Sequence, residues 1–391
     1  MHDNRRAFLR NSIALTALSS SRILGANDRI RVAGLGTGGR CTYLLSLANK
    51  AGVEINALCD VYEPRRLAVK EKLAPDARAD YVDYRAVLDR KDIDAVVIGS
   101  PDHWHVAMTI DAVQAGKDVY VEKPVTHTIE EGARLEKALA GSRQVVQVGY
   151  QQRSWEHFQA GREVVAGGKL GKIRLVLASW YQDYLSLLGG MPSVDTQKLD
   201  WKRFLGSAPE QPFDPLRFTK WRWFWDFGGG HLTDLYSHYC DVIHWYMGQD
   251  SPKAAQAMGG RNALPSFECP DTINAAYDYP GGFNVVYDGS LVGSLEGGNI
   301  VFRGSRAMMK INRDGFAVYP EGVVPFEKTQ YPEPEIAMRS LGDGTVEHMK
   351  NFLDCVRSRK TPNAPVKSAV AAARAAHLGN LAYRKGIRVE G

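Results

Sequence analysis

At 391 residues, 44% hydrophobic and 24% charged, the chain is too long for one small core and has the composition of an ordered protein of two domains. The formal net charge is +5, and outside residues 1–26 the count is 45 basic against 43 acidic residues, so no basic stripe points to nucleic acid or to a membrane surface. A small molecule is the expected partner.

Residues 1–26 have the form of an export address. Asn4-Arg5-Arg6-Ala7-Phe8-Leu9-Arg10 is a twin-arginine pattern, and a short, mildly apolar run over 12–21 leads to Gly25-Ala26. The run is too short and polar to span a bilayer as a helix. The expectation is a periplasmic protein exported folded, carrying a cofactor loaded before export. Five cysteines, Cys41, Cys59, Cys240, Cys269 and Cys355, show no metal-binding spacing, which predicts buried thiols and no metal site.

The first domain is expected over 27–150. A strand at 30–33 runs into Gly34-Leu35-Gly36-Thr37-Gly38-Gly39, and a helix follows around 43–48. Glycines at 34, 36 and 39 have the spacing that combines a tight turn, close approach of a pyrophosphate and packing of helix on strand. Anions sit at such a turn because a helix amino end presents unpaired N–H groups. A second strand over 53–59 ends in Asp60, placed to bind an adenosine ribose and to repel a 2′-phosphate. NAD is therefore expected over NADP, with Arg40, Arg65 and Arg66 close enough in sequence to weaken the preference. Strands at 94–99, 118–121 and 145–149 alternate with helices at 106–115 and 129–140, which implies a doubly wound parallel sheet. The strand at 118–121 ends in Glu122-Lys123-Pro124, and the proline turns the chain so that Lys123 stands at the carboxyl edge where such sheets bind ligands. Ser100-Pro101-Asp102-His103-Trp104-His105 occupies the neighbouring edge, with His103 and His105 open to either packing or cofactor contact.

Over 151–345 the pattern changes to an α+β domain. Tyr150-Gln151-Gln152-Arg153 leads into a helix through Phe158 and Val164, and strands follow at 173–181, 272–279, 283–288 and 299–303, with a hairpin turning at 312–315. These imply a large, mainly antiparallel sheet, one face covered by helices and the other open to a partner subunit. An aromatic loop over 183–226 includes Trp201, Trp221, Trp223, Phe224 and Trp225, suited either to sugar C–H faces or to packing. A helix is expected from near His231 to Trp245, with Asp234, His238 and Asp241 in one stripe. That stripe fits a histidine base held by a carboxylate, a core ion pair, or a metal site that also uses His231 but lacks an evident fourth ligand. Helices over 346–391 are expected to pack back on the first domain.

Together, the glycine turn of 34–39, Glu122-Lys123-Pro124 and the Asp234-to-His238 helix resemble the Gfo/Idh/MocA family of oxidoreductases over nearly all of the chain after residue 27. The resemblance implies an N-terminal Rossmann domain, a C-terminal domain whose open sheet makes a homo-oligomer, dimer or tetramer, a tightly bound NAD or NADP, and a sugar, polyol or derivative as substrate. By position, Lys123 matches the family's active-site lysine, and Asp234 and His238 its Asp-x-x-x-His pair. Gly34, Gly36, Thr37, Gly38, Gly39, Asp60, Ser100, Pro101, His105, Glu122 and Lys123 are the expected cofactor contacts. Arg153 and Trp221 join Asp234 and His238 as candidate substrate contacts. The expected reaction is hydride transfer at a carbinol, with His238 as base, Asp234 orienting it or the substrate, and Lys123 on the developing alkoxide. Export adds a constraint, because an enclosed cofactor must be regenerated in place. The alternatives are a redox glycosidase, whose members resembling this family lack the lysine of the Glu-Lys-Pro turn, and a sugar-binding protein that keeps the fold without turnover.

Overall fold

The computed structural model describes residues 29–75, 77, 79–322 and 331–391; the expected export address lies outside them. Six parallel strands form the first sheet: β1 (Arg31–Leu35), β2 (Glu54–Cys59), β3 (Ala79–Tyr81), β4 (Ala95–Ile98), β5 (Asp118–Val121) and β6 (Val146–Val148), in the order β3-β2-β1-β4-β5-β6. Helices α1 (Gly39–Lys50), α2 (Glu63–Leu73), α3 (His105–Gln114) and α4 (Glu130–Leu139) cover its faces. Strands β4 and β5 are buried at every position, which is why their sequences are continuous β-branched runs rather than alternating ones. The order reverses between β1 and β4, and that crevice is where a doubly wound sheet takes its ligand.

The second domain is built on a nine-stranded sheet. Helix α5 (Glu156–Ala166) and strand β7 (Leu175–Tyr181) come first, and α6 (Ser237–Met247) follows the long loop. Strands β8 (Ala254–Gly260), β9 (Thr272–Tyr279), β10 (Phe283–Ser290), β11 (Gly298–Arg303), β12 (Ala307–Asn312), β13 (Gly315–Pro320) and β14 (Ile336–Arg339) complete most of it. Helices α7 (Gly344–Ser358) and α8 (Val366–Lys385) precede the closing edge strand β15 (Val389–Glu390). The order is β14-β13-β12-β11-β7-β10-β9-β8-β15. All neighbours are antiparallel except β7 and β10, which run parallel at the centre, so the sheet is mixed. Alternation in β9 and β10 buries Ile273, Ala275, Tyr277, Val285 and Tyr287 under helices and leaves Asn274, Ala276, Asn284 and Val286 on an open face.

The C-terminal helices divide between the domains. Met349, Phe352, Leu353 and Val356 of α7 join the first-domain core beside Leu44 and Tyr120. Helix α8 packs chiefly on α6 and β8, its alanines merging with the second-domain core. It was expected on the first domain, but its row of Ala369, Ala372, Ala373, Ala376 and Gly379 allows the close approach that α6 and Tyr277 use. All five cysteines are buried and free. No helix among the described residues is long and apolar enough to cross a membrane.

Candidate active site

The glycine turn divides its roles in an order that spacing alone did not assign. A Cβ on Gly34 would stand 2.6 Å from Leu45 Cδ1, so this glycine lets α1 close on β1. Gly36 has φ +77° and would place a Cβ 2.6 Å from the backbone of Ser100, so it makes the turn. Gly38 and Gly39 face open space at the start of the twelve-residue α1. Beyond them opens a cleft of about 350 Å³ bordered by Gly36, Gly38, Gly39, Asp60, Ser100 and Pro101. Asp60 accepts from the Tyr62 backbone N–H at 2.9 Å and lies 3.4 Å from the Thr37 hydroxyl; burial raises its carboxyl above the usual range. An amino end for a pyrophosphate, an acid one strand away and a cleft between them fit a dinucleotide.

A second pocket of about 470 Å³ adjoins the cleft, and Arg40, Thr219 and Arg222 line both. Strand β5 delivers Glu122 and Lys123 to it, ahead of a cis Lys123–Pro124 peptide. Glu122 is buried and accepts from Arg40 Nε at 2.8 Å, which ties the first turn of α1 to the end of β5. Lys123 Nζ donates to both the carboxylate and the backbone carbonyl of Asp234, each at 2.6 Å. Arg222 Nε donates to the same carboxylate oxygen at 3.2 Å. Although burial opposes the charge, Lys123 and then Arg222 bring the Asp234 carboxyl down to about 2. An ammonium has three donors, and two of Lys123's are used on Asp234, so one remains for a ligand oxygen.

His238 lines this pocket and is held differently from the expectation. Its Nδ1 lies 3.2 Å from Gln152 Oε1, not against Asp234. Two cations engage the Asp234 carboxylate, and Leu232–Tyr236 form a π turn rather than α-helix, which displaces the stripe counted at 100° per residue. The amide oxygen of Gln152 accepts, so Nδ1 carries the proton and Nε2 is the basic nitrogen. Burial, reinforced by Lys123, Arg313 and Arg40, lowers the imidazole well below its ordinary value and keeps it neutral. Trp180 stacks on the ring at 6.0 Å and Tyr150 meets it edge-on at 5.9 Å.

Several expected contacts lie elsewhere. Arg153 is buried with its Nε 2.7 and 3.0 Å from the two oxygens of Asp241 and its guanidinium over Trp245, away from the pocket. Asp241 is thereby removed from the stripe with Asp234. Trp221 lines the cofactor cleft, under Arg222 at 4.2 Å, rather than the substrate pocket. His105 is buried behind the wall, its ring nitrogens 2.6 Å from the Pro124 carbonyl and 3.0 Å from the Ser100 carbonyl, so it braces two loops instead of touching a cofactor. His103 packs against Phe204, whose carbonyl is 2.9 Å from its Nε2. His231 bonds Tyr287 at 2.8 Å and is absent from the pocket wall. Most of the aromatic loop is core, with Trp201, Phe204, Phe213, Phe218 and Phe227 packed on one another. Gln152, Trp180, Arg222 and Arg313 are the site residues that sequence reasoning did not single out. Position signalled two of them, since Gln152 adjoins Arg153 and Trp180 ends a clear strand.

Residues 29–150 match the model of an oxidoreductase family with an NAD-binding Rossmann fold, and residues 158–310 match that of the GFO/IDH/MocA C-terminal domain. The chain is 26% identical over 215 residues to the Bacillus subtilis protein YteT, covering 54% of this chain and 43% of YteT. It is 30% identical over 141 residues to inositol 2-dehydrogenase of Salmonella typhimurium, covering 36% and 42%. To an α-N-acetylgalactosaminidase of Shewanella oneidensis it is 33% identical over 133 residues, covering 31% and 29%. The match thus spans less than half the length of these curated relatives. Among solved structures, levoglucosan dehydrogenase in complex with NADH and levoglucosan superposes with a TM-score of 0.71 at 15% identity, over 93% of this chain and 99% of that one. With two domain models matching in order over most of the described residues, around a glycine turn, a Glu-Lys-Pro edge and an Asp-x-x-x-His helix, the chain belongs to the Gfo/Idh/MocA family of NAD-binding oxidoreductases.

Proposed function

We propose that this protein moves a hydride between a carbinol carbon of a sugar, polyol or glycoside and a bound nicotinamide cofactor. The observation that carries this is the convergence of Lys123 and His238 on one pocket that shares a wall with the dinucleotide cleft. The nicotinamide, when bound, supplies the hydride acceptor. The α1 amino end with Gly38 and Gly39 holds the pyrophosphate, and Asp60 the adenosine ribose. His238 Nε2 takes the hydroxyl proton, and the free donor of Lys123 stabilises the oxygen as it becomes negative. Asp234 positions Lys123 rather than the histidine.

NAD is the proposed cofactor. Arg40 is engaged by Glu122, and Arg66 is turned to Asp80 and the Asp60 carbonyl, so neither is free for a 2′-phosphate. Arg65 borders the cleft, stacked on Phe218 at 4.6 Å. We further propose that residues 1–26 direct folded export to the periplasm, that the cofactor is held tightly enough to survive it, and that the open sheet face joins copies of the chain. Fractionation of a tagged full-length chain, with and without Arg5 and Arg6, tests export; sedimentation tests assembly, a monomer opposing it.

The main test uses protein purified without added nucleotide. One portion is denatured to identify released cofactor, and the remainder is followed by reduced-nicotinamide absorbance as sugars are added singly. Retained NAD that becomes NADH with one sugar and returns with another supports the proposal. The similarity to an α-N-acetylgalactosaminidase is consistent with the redox glycosidase as second reading. Release of an aglycone with no net change in the cofactor spectrum would move the assignment there.

A further inference from the structure

The substrate pocket carries more positive charge than hydride transfer from a neutral sugar calls for. Five cationic side chains line it, Arg40, Lys123, Lys220, Arg222 and Arg313, against two carboxylates, Glu122 and Asp234. Glu122 is engaged by Arg40, and Asp234 by Lys123 and Arg222. Asp102, the other acid facing Arg222 and Lys123, does not line the pocket, and its burial pushes its carboxyl well above the usual range. Lys220 and Arg313 therefore have no carboxylate partner among the described residues; Lys220 donates to the Leu187 carbonyl, and Arg313 stacks on Trp180. These two line the substrate pocket alone, whereas Arg40 and Arg222 also border the cofactor cleft.

Arg313 stands in the turn between β12 and β13, its guanidinium 4.9 Å from the centre of the Trp180 ring, and Trp180 itself stacks on His238. The cation and the proposed base thus contact the same indole. A cation–π contact uses none of the guanidinium N–H donors, and those of Arg313 have no hydrogen-bond partner among the described residues, so they stay available as a fork. A planar fork matches a carboxylate in two parallel hydrogen bonds, and a lysine nearby adds a point charge.

We propose that the pocket selects a sugar bearing a carboxylate, a uronic acid or its glycoside, with Arg313 gripping the carboxylate and Lys220 reinforcing it. This rests on the oxidoreductase reading for the reaction but not for the binding. The sugar ring then spans from the carboxylate at Arg313 to the reacting hydroxyl between His238 and Lys123. Arg313 acts as a specificity residue.

The test pairs each uronic acid with its neutral sugar, glucuronate with glucose and galacturonate with galactose, on the full chain loaded with NAD. Binding by calorimetry and turnover by NADH formation are both read. The expected result is at least about tenfold tighter binding and higher kcat/KM for a uronate over its neutral partner, the size of a charge-assisted contact. Arg313→Met should reduce that preference by about tenfold, and Arg313→Lys should restore part of it. Equal binding of the paired sugars, a preference unchanged in Arg313→Met, or stronger selection of a sugar phosphate than of any uronate would overturn it. Uronate binding that depends on Arg313 without turnover would keep the subsite and refute the oxidoreductase; turnover of neutral sugars with no uronate preference would do the reverse.

Discussion

Asp234 and Asp241 lie seven residues apart on one helical stretch, each meeting a cation from another segment, yet the two ends of that stretch do different work. At the pocket end, two cations outweigh the burial of Asp234 and hold its carboxyl at about 2. At the core end, Asp241 has no exposed surface and one cation, Arg153, so burial prevails and its carboxyl is raised. What remains unused also differs. Lys123 keeps a donor beside an open pocket, while Arg153 Nε reaches both Asp241 oxygens and its plane covers Trp245. A buried ion pair is thus read as functional or structural from its leftover valence and its access to a ligand, not from its residue types.

The sharpest way to break this contrast is to remove the cation at each end. Lys123→Met should lower kcat by about a thousandfold while cofactor content holds, the loss of a transition-state donor; equal loss of cofactor would make Lys123 structural. Arg153→Met should do the opposite, costing roughly 3–5 kcal/mol of stability in urea unfolding because it strands a buried charge, with little change in kcat per folded molecule. Between them, Gln152→Leu should lower kcat by roughly ten- to a hundredfold through loss of ring orientation, and Gln152→Glu should recover part of it because its oxygen can again accept from Nδ1. The smallest effects concern pH. Because His238 titrates well below its ordinary value, its neutral form should persist and kcat/KM should not fall on its account between about pH 8 and 6.5. A fall centred near 6.5 that disappears in a His238 variant would show an unshifted base. Asp234, whose folded value of about 2 lies below the ordinary 3.8, stabilises the fold above the ordinary value and loses that contribution as pH drops through 2. Asp234→Asn should flatten that part of the acid unfolding curve.

Much of the architecture was legible because it is written in neighbouring residues. Continuous β-branched runs marked β4 and β5, glycine spacing marked the turn after β1, and a short turn between two long runs marked β9 and β10. Strands β3 and β15 escaped because three and two residues carry no period, and β8, Ala-Ala-Gln-Ala-Met-Gly-Gly, has no β-branched residue to declare it. The parallel pairing of β7 and β10 was also hidden, since alternation shows which face is buried but not which way the neighbour runs.

The sequence by itself determined the two-domain plan and the dinucleotide turn, because local sterics and hydrogen-bonding capacity depend on residues a few positions apart; that Lys123, Asp234 and His238 share one site was implied by the family resemblance, not by local pattern. Only the tertiary structure decided their partners. Lys123 finds Asp234 across 111 residues, His238 finds Gln152 across 86, and Arg153 is taken by Asp241 across 88. A carboxylate engages whichever cation the packed backbone presents at hydrogen-bond distance, and the π turn at Leu232–Tyr236 sets that aim in a way no periodicity records.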